Sequence, residues 1–257
     1  MMRFKSLGSG SSGNATLVQV TGPDACTVLI DCGFGLRQLV QRLALSGVVP
    51  QQLDAIFITH EHGDHTGCVQ ALSNQYQIPV WMSAGTAAAA GFVNTTGLLQ
   101  TASDGAVIEI KSLQLLPFTV PHDAREPLQL ACTNGNAKLG VLTDLGHATA
   151  HVLEQLQGCH ALILECNHDS GLLDASAYPA FLKSRVGGQY GHLANTQAAG
   201  VASAVLHAGL KHVVAAHLSQ HNNLPELAKH CLSGALSCRA DDIIVATHDT
   251  GTPWLDA

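Results

Sequence analysis

Residues 60–65 read His-Glu-His-Gly-Asp-His and follow directly after a short apolar run. Because side chains alternate along a strand, His60 and His62 would share one face and could bind one ion. A glycine follows, so the chain can turn there and point Asp64 and His65 at a second ion. Imidazole and carboxylate are ligands suited to zinc and similar divalent metals. The cluster therefore predicts a metal site, and the alternative is a merely polar turn.

Four further polar residues stand where apolar stretches end: Asp31, His122, Asp144 and His217. Loops that follow strands are held by a rigid scaffold, so several such strand ends can converge on one edge of a sandwich. Taken singly, an aspartate there often caps a turn, and a lone histidine is often packed or solvated. Together with the cluster at residues 60–65, they supply enough ligands for a complete two-metal site.

The length and composition of the chain allow a large hydrophobic core, which can hold these residues in position. Its 257 residues suit one domain of generous size or two small ones. Hydrophobic residues make up 46% and charged residues 12%, which disfavours disorder, and only 4% are aromatic. The formal charge of −7 argues against a broadly basic nucleic-acid surface. A local phosphate site stays open, because bound divalent cations reverse the field in a cleft.

The eight cysteines show no CxxC spacing, which argues against a zinc ribbon or a thioredoxin motif. Most lie in apolar runs, and we expect them to be buried thiols of a reducing compartment. Neither a signal peptide nor an apolar span of 18 residues is visible. We therefore expect a soluble, cytoplasmic protein.

Periodicity and turn residues predict strands that dominate the first half of the chain and helices that alternate with strands in the last third. The predicted strands are residues 3–7, 16–20, 27–31, 55–59, 79–82, 106–110, 113–119, 128–133, 138–143, 161–165, 213–216 and 243–246. The predicted helices are residues 36–45, 66–74, 85–93, 150–156, 175–184, 196–207 and 225–233. No linker divides the chain, so residues 1–257 are expected to form a single domain of two packed sheets with helices outside.

Residues 59–65 resemble the HxHxDH signature of the metallo-β-lactamase superfamily. The four polar residues at the ends of apolar stretches fall in the order and approximate spacing of that superfamily's other motifs. The resemblance covers nearly the whole chain and implies an α/β fold, a four-layer αββα sandwich with the site on one edge.

Four segments narrow the resemblance to the WalJ/YycJ-type branch. Residues 9–14 are similar to its SGSSGN loop, and residues 121–124 to its third motif. Residues 191–195 and 217–223 are similar to its GHLSN and HLSxxNN segments, with Ala194 in place of the usual serine. Members of this branch are similar to ribonuclease Z and are regarded as DNA exonucleases.

The resemblance implies a role for each ligand. The first metal would be held by His60, His62 and His122, the second by Asp64, His65 and His217, with Asp144 bridging both. Asp64 is expected to act in catalysis as well as in metal binding. Asp31 would orient a ligating imidazole through a hydrogen bond, and Glu61 would point away from the metals. Asp144 stands where true β-lactamases have a cysteine ligand, which disfavours a lactamase role.

The implied reaction is phosphodiester hydrolysis by a two-metal site whose bridging water is activated to hydroxide. The expected substrate is nucleic acid, with DNA favoured over RNA. The expected cofactors are two divalent ions, zinc or manganese, and the ligand set also accepts iron. Two alternatives stay open: a small-molecule hydrolase, such as a lactonase or thioesterase, and a metal-binding protein without turnover.

His192 matches the histidine of a ribonuclease Z segment and is the candidate proton donor to the leaving group. Glu165 could hydrogen-bond His192 and set its tautomer. The alternative is that His192 merely precedes a helix whose N-cap is Asn195.

The loop at residues 8–14 could bind a substrate phosphate through backbone amides and through Ser11, Ser12 and Asn14. The alternative is a flexible turn. No GKS or GKT follows, so a P-loop nucleotide hydrolase is disfavoured.

Overall fold

A computed structural model describes residues 1–94 and 96–257. Its strands are β1 Met2–Gly8, β2 Ala15–Val20, β3 Cys26–Ile30, β4 Ala55–Phe57, β5 Val80–Met82, β6 Leu99–Thr101, β7 Ile108–Ile110, β8 Leu113–Thr119, β9 Leu128–Thr133, β10 Lys138–Leu142, β11 Ala161–Glu165, β12 His212–Ala216, β13 Ile244–Val245 and β14 Leu255–Asp256. Its helices are α1 Leu36–Leu45, α2 Gly63–Thr66, α3 Val69–Tyr76, α4 Ala84–Ala89, α5 Ala150–Leu156, α6 Ser170–Ala175, α7 Ala180–Val186, α8 Asn195–Ala204 and α9 Pro225–Leu236.

The strands form two seven-stranded sheets. The first has the order β14-β1-β2-β3-β4-β5-β6 and the second has the order β13-β12-β11-β10-β9-β8-β7. In each sheet, antiparallel neighbours at one end give way to parallel ones, from β3 to β6 and from β10 to β13. Parallel strands carry their carboxyl ends to the same edge, so each sheet presents one row of strand ends there.

Three buried clusters define four layers. One lies between the sheets and takes side chains from both, among them Phe4 and Phe57 from the first and Leu115 and Ile163 from the second. A second cluster packs the first sheet against α1 and α3, and a third packs the other sheet against α5, α8 and α9. The αββα sandwich predicted from the sequence is therefore confirmed.

The parallel strands read as continuous apolar runs because both of their faces are covered. All five residues of β3 are buried, and so are all five of β11. When both faces of a strand are buried, polar and apolar residues no longer alternate along it.

Two predicted helices are each divided in the structure. The predicted helix 66–74 is replaced by α2 and α3, which are separated at Gly67, a residue with φ of 26°. A Cβ at Gly67 would collide with the backbone of Cys32, so this chain reversal needs glycine. The predicted helix 175–184 is replaced by α6 and α7, because the chain is extended at Ser176 and Pro179.

Two strands, β6 and β14, were missed because both are short sheet-edge strands without a long apolar run. In the described part of the chain, no helix combines the length and apolarity needed to cross a membrane. All eight cysteines are free thiols. Six are buried, as expected, whereas Cys231 is half-buried and Cys238 exposed.

Candidate metal centre

The predicted site residues follow strands at the edge where the two parallel rows end. Asp31 follows β3 and His60 comes three residues after β4, in the first sheet. Asp144 follows β10 and His217 follows β12, in the second sheet. The two sheets thus each contribute side chains to one edge of the sandwich.

Three of these residues adopt the left-handed backbone conformation: Asp31, Asp144 and His217 have φ of 63°, 57° and 55°. Non-glycine residues rarely adopt this conformation, and strained backbone of this kind concentrates at functional sites. Each residue turns the chain within two residues of the end of its strand, and the side chains of all three are buried.

The first triad consists of His60, His62 and His122. Nε2 of His60 lies 3.1 Å from Nδ1 of His62, which lies 3.4 Å from Nε2 of His122. Burial lowers the pKa of His60 and of His122, which favours the neutral rings that a metal ligand needs.

Neighbouring acceptors determine which nitrogen faces the centre of the first triad. Nδ1 of His122 donates to the carbonyl of Gly191 at 3.1 Å, which leaves the Nε2 lone pair free. The hydroxyl of Thr59 donates to Asp31 at 3.0 Å and lies 3.0 Å from Nδ1 of His60, from which it can accept. The free lone pairs of His60 and His122 therefore converge with Nδ1 of His62 on one point.

The second triad consists of Asp64, His65 and His217. Oδ2 of Asp64 lies 3.5 Å from Nε2 of His65 and 3.4 Å from Nε2 of His217. Nδ1 of His65 donates to Asp31 at 2.8 Å, and Nδ1 of His217 donates to Glu165 at 3.1 Å. These carboxylates lie behind the rings and present both Nε2 atoms to the same point.

Asp144 lies between the two triads. Its Oδ2 lies 3.1 Å from Nε2 of His65 and belongs to a further potential ligand group with His60 and His65. Within the described residues this buried oxygen has no hydrogen-bond partner. A buried carboxylate oxygen without a partner needs an explanation, and a cation between it and the surrounding nitrogens provides one. The donor set therefore fits divalent metal ions.

The charges of this cluster favour positive charge at the ligand nitrogens. Burial alone would lower the pKa of His217, but Asp144, Asp64 and Glu165 raise it to about 10. Burial likewise opposes the shift at His65, whose pKa Asp144 and Asp31 raise well above its usual value. The carboxylates thus stabilise a cation at this position, whether that cation is a proton or a metal ion.

Glu165 and His192 form a pair beside the second triad. Nδ1 of His192 donates to Oε1 of Glu165 at 2.8 Å, and Oε2 accepts from the amides of Leu145 and Leu193 at 3.1 and 3.0 Å. Burial would raise the pKa of Glu165, but His192, together with the hydrogen bonds from His192 and His217, lowers it to about 2. Burial would lower the pKa of His192, and Glu165 and Asp144 raise it instead.

The alternative for His192, a residue that merely precedes an Asn195 cap, does not match the start of α8. The N-cap is Ala194, and Asn195 is the first helical residue. The Asn195 side chain is buried and exchanges hydrogen bonds with Asn223 at 2.9 Å. The two asparagines thus join the segments 191–195 and 217–223.

The loop at residues 8–14, predicted to bind a substrate phosphate, contributes one of its three predicted side chains to the cavity lining. Ser11 lines the cavity over the metal centre, whereas Ser12 is exposed and is not among the residues that line it. Asn14 is buried, and its amide contacts Gly10 and Asp64 at 2.9 and 3.3 Å. Asn14 therefore connects the loop to the metal-binding segment.

A cavity of about 460 Å³ opens over the metal centre. Sequence reasoning missed two of its lining residues, Asp123 and Arg185, whose Oδ2 and Nε atoms lie 2.6 Å apart. Asp123 was visible only as the neighbour of His122, and Arg185 carried no sequence signal. Glu61 accepts from the amide of Arg125 at 2.6 Å and belongs to none of the potential ligand groups of the described residues.

Comparison with known proteins is consistent across sequence and structure. A family model described as a β-lactamase superfamily domain matches residues 26–218. The exodeoxyribonuclease YycJ of Bacillus anthracis is 32% identical over 91% of this chain and 89% of its own. The exodeoxyribonuclease WalJ of Streptococcus pneumoniae is 27% identical over 98% of this chain and 96% of its own.

Two solved structures show the same fold. YhfI of Bacillus subtilis, a metallo-β-lactamase fold protein, has a TM-score of 0.76 at 15% identity over 100% of both chains. The short form of human tRNase Z has a TM-score of 0.62 at 18% identity, covering 86% of this chain and 93% of its own. At such low identities the likeness concerns the fold alone.

Proposed function

The chain belongs to the metallo-β-lactamase superfamily, in the branch of the YycJ and WalJ proteins, and we propose that it is a two-metal exodeoxyribonuclease. Relatives of that name cover 91% and 98% of this chain. The observation that carries the proposal is the pair of ligand triads on either side of Asp144, with its unpartnered Oδ2. Such a pair of sites can act on the attacking and the leaving oxygen of a phosphodiester.

The proposed ligands follow from the geometry of the triads. One ion would be held by His60, His62 and His122, the other by Asp64, His65 and His217, with Asp144 shared. Two divalent cations bound there would supply a nucleophile from water at neutral pH and would stabilise negative charge on the phosphoryl oxygens. We take zinc or manganese as the native ions, because imidazole and carboxylate suit both.

The protein groups around the triads position the ligands and handle the proton. Asp31 and Glu165 hold the rings of His65 and His217 at 2.8 and 3.1 Å. His192 reaches the cavity wall with Nδ1 held by Glu165, so its Nε2 is the atom that would deliver a proton to the leaving oxygen. Ser11, which also lines the cavity, and backbone amides of its loop would contact the substrate.

A small-molecule hydrolase remains an alternative of the same chemistry, but no contact in the cavity favours it. A metal-binding protein without turnover would not need the buried Glu165–His192 pair at the cavity. We also propose that residues 1–257 act as one domain, that the protein works in the cytoplasm, and that DNA is preferred to RNA.

The experiment is a cleavage assay of the purified protein on end-labelled single- and double-stranded DNA and RNA, supplemented with Zn²⁺ or Mn²⁺. A lactone and a thioester are assayed beside them. We expect stepwise shortening of DNA that stops on chelation and returns when metal is restored. Turnover of the lactone or thioester with no shortening of DNA would refute the proposal.

A further inference from the structure

The part of the cavity wall formed by α7 carries a feature that the metal chemistry does not use. We propose that Phe181, Arg185 and Tyr190, here called the aromatic rim, bind a single-stranded segment of DNA. Bases stack on the two rings, and a phosphate pairs with the guanidinium. This inference rests on the proposed function and deepens it, because it names single-stranded DNA as the substrate form.

The two aromatic side chains of the rim are unusually exposed. Phe181 is 74% exposed and Tyr190 is 61% exposed, and the other exposed large hydrophobics among the described residues are aliphatic. Aromatic residues make up only 4% of the chain. Phe4, Phe57 and Phe118, in contrast, are fully buried. Two exposed rings next to the cavity mark an interaction surface.

The rim is continuous with the cavity. Leu182, Arg185 and Val186 of α7 line the cavity. Phe181 lies one helical turn before Arg185, so the two side chains are neighbours on the helix surface. Asp123 connects Arg185 to Tyr190, since its carboxylate accepts from Arg185 at 2.6 Å and its amide donates to the carbonyl of Tyr190 at 2.9 Å.

Helix α7 presents its side chains outward. None of its residues is buried, although it stands beside the metal centre. Arg185 is the one arginine or lysine among the described residues that line the cavity. The Arg185 side chain is 62% exposed and its hydrogen bond to Asp123 uses Nε, which leaves the other guanidinium donors available to a phosphate. In a chain with a net charge of −7, a local cation beside the metals gives the phosphate backbone a specific place to bind.

This combination of features selects an unpaired strand. In a duplex the base faces are stacked on one another, whereas an unpaired strand can lay its bases on protein aromatics. Such stacking tolerates any base sequence, as an exonuclease requires. An extended strand entering the cavity would therefore lay the nucleotides next to the scissile one on the aromatic rim.

The experiment compares two strands of equal length and equal phosphate number, oligothymidylate and an oligomer of abasic tetrahydrofuran units. Both are measured with Mn²⁺ by cleavage kinetics and by fluorescence anisotropy. Wild-type protein should favour oligothymidylate by about 5- to 150-fold in KM and Kd. Phe181→Ala and Tyr190→Ala should each remove most of this preference, with kcat and the abasic strand little changed.

Conservative and distant substitutions complete the comparison. Phe181→Trp and Tyr190→Phe should retain the preference, because stacking needs the ring and not the hydroxyl. Leu45→Ala removes a side chain that is 78% exposed in α1 and should change nothing. The proposal would be overturned if wild-type protein had equal KM and Kd for the two strands. It would also be overturned if Phe181→Ala weakened binding of both strands equally. If no strand were cleaved, the proposed function would fail, and anisotropy alone would still decide whether the rim binds bases.

Discussion

Oε1 of Glu165 lies 2.8 Å from Nδ1 of His192 and 3.1 Å from Nδ1 of His217. One buried carboxylate oxygen thus holds both the candidate proton donor and a ligand of the second triad. The arrangement couples proton delivery to the metal centre, since the position of one ring constrains the other. The two roles can be tested separately, because Nε2 of His217 lies 3.4 Å from Oδ2 of Asp64 in the second triad, whereas His192 belongs to neither triad.

For His192→Ala we expect cleavage to slow by roughly a hundredfold or more, within the range for general acids, with bound metal unchanged. The loss should shrink for a diester with a p-nitrophenolate leaving group, which needs no proton. His147→Ala is the matched control, because His147 contacts the neighbouring Gln189 carbonyl at 3.0 Å but is not among the cavity-lining residues. Equal losses on both leaving groups would assign His192 a structural role.

Substitutions of the ligands should remove turnover without unfolding the protein. For His62→Ala and Asp144→Ala we expect metal-dependent cleavage to fall by roughly a thousandfold or more, since the metals contribute several kcal/mol. Circular dichroism should remain close to that of the parent, because both side chains lie at the sheet edge. Elemental analysis should show a reduced metal content. Parent-like rates in either variant would show that the assigned roles are wrong.

Asp31 should affect metal affinity more than turnover. Asp31→Asn disturbs the hydrogen bond to His65, and we expect metal affinity to fall by roughly 10- to 100-fold. Activity should approach the parent rate at saturating metal. Asp54→Asn is the control, since Asp54 accepts from the amide of Thr27 at the opposite end of β3. An unchanged metal titration for Asp31→Asn would contradict the orienting role.

Gly33 packs so closely against the metal-binding segment that we expect no other residue to be tolerated at this position. A Cβ at Gly33 would collide with the backbone of Asp64, so Gly33→Ala should destabilise the protein by about 2–3 kcal/mol and lower Tm by roughly 5–10 °C. Metal content should fall with it. Gly35→Ala is the control, because nothing lies within 4 Å of its added Cβ. Differential scanning calorimetry of the two variants would decide the matter.

The cysteines should differ sharply in reactivity. Cys238 is exposed, whereas burial raises the pKa of the Cys32, Cys132 and Cys166 thiols and suppresses the reactive thiolate. With Ellman's reagent, we expect the native protein to react rapidly at Cys238, more slowly at Cys231, and at all eight cysteines only after denaturation. Rapid reaction of a buried cysteine in the folded protein would contradict the packing described above.

The residue types that bind metals were visible in the linear sequence because their chemistry is local. Three histidines and an aspartate within residues 60–65 have few other uses. Polar residues that end apolar runs, such as Asp144 and His217, stand out because parallel strands buried on both faces are continuously apolar. The same periodicity predicted the two sheets and their flanking helices.

Tertiary structure alone decided how these side chains meet. Packing between distant segments determines the left-handed turns at Asp144 and His217. It also determines the close contact of Gly33 with Asp64 and the hydrogen bond from Asn14 to Asp64. Arg185 and Phe181 carried no signal, because a charged residue and an exposed ring on a short helix acquire meaning only from the cavity beside them. Sequence patterns record local backbone preference and hydrophobic burial, whereas the direction of a side chain is determined by contacts with residues far away in the chain.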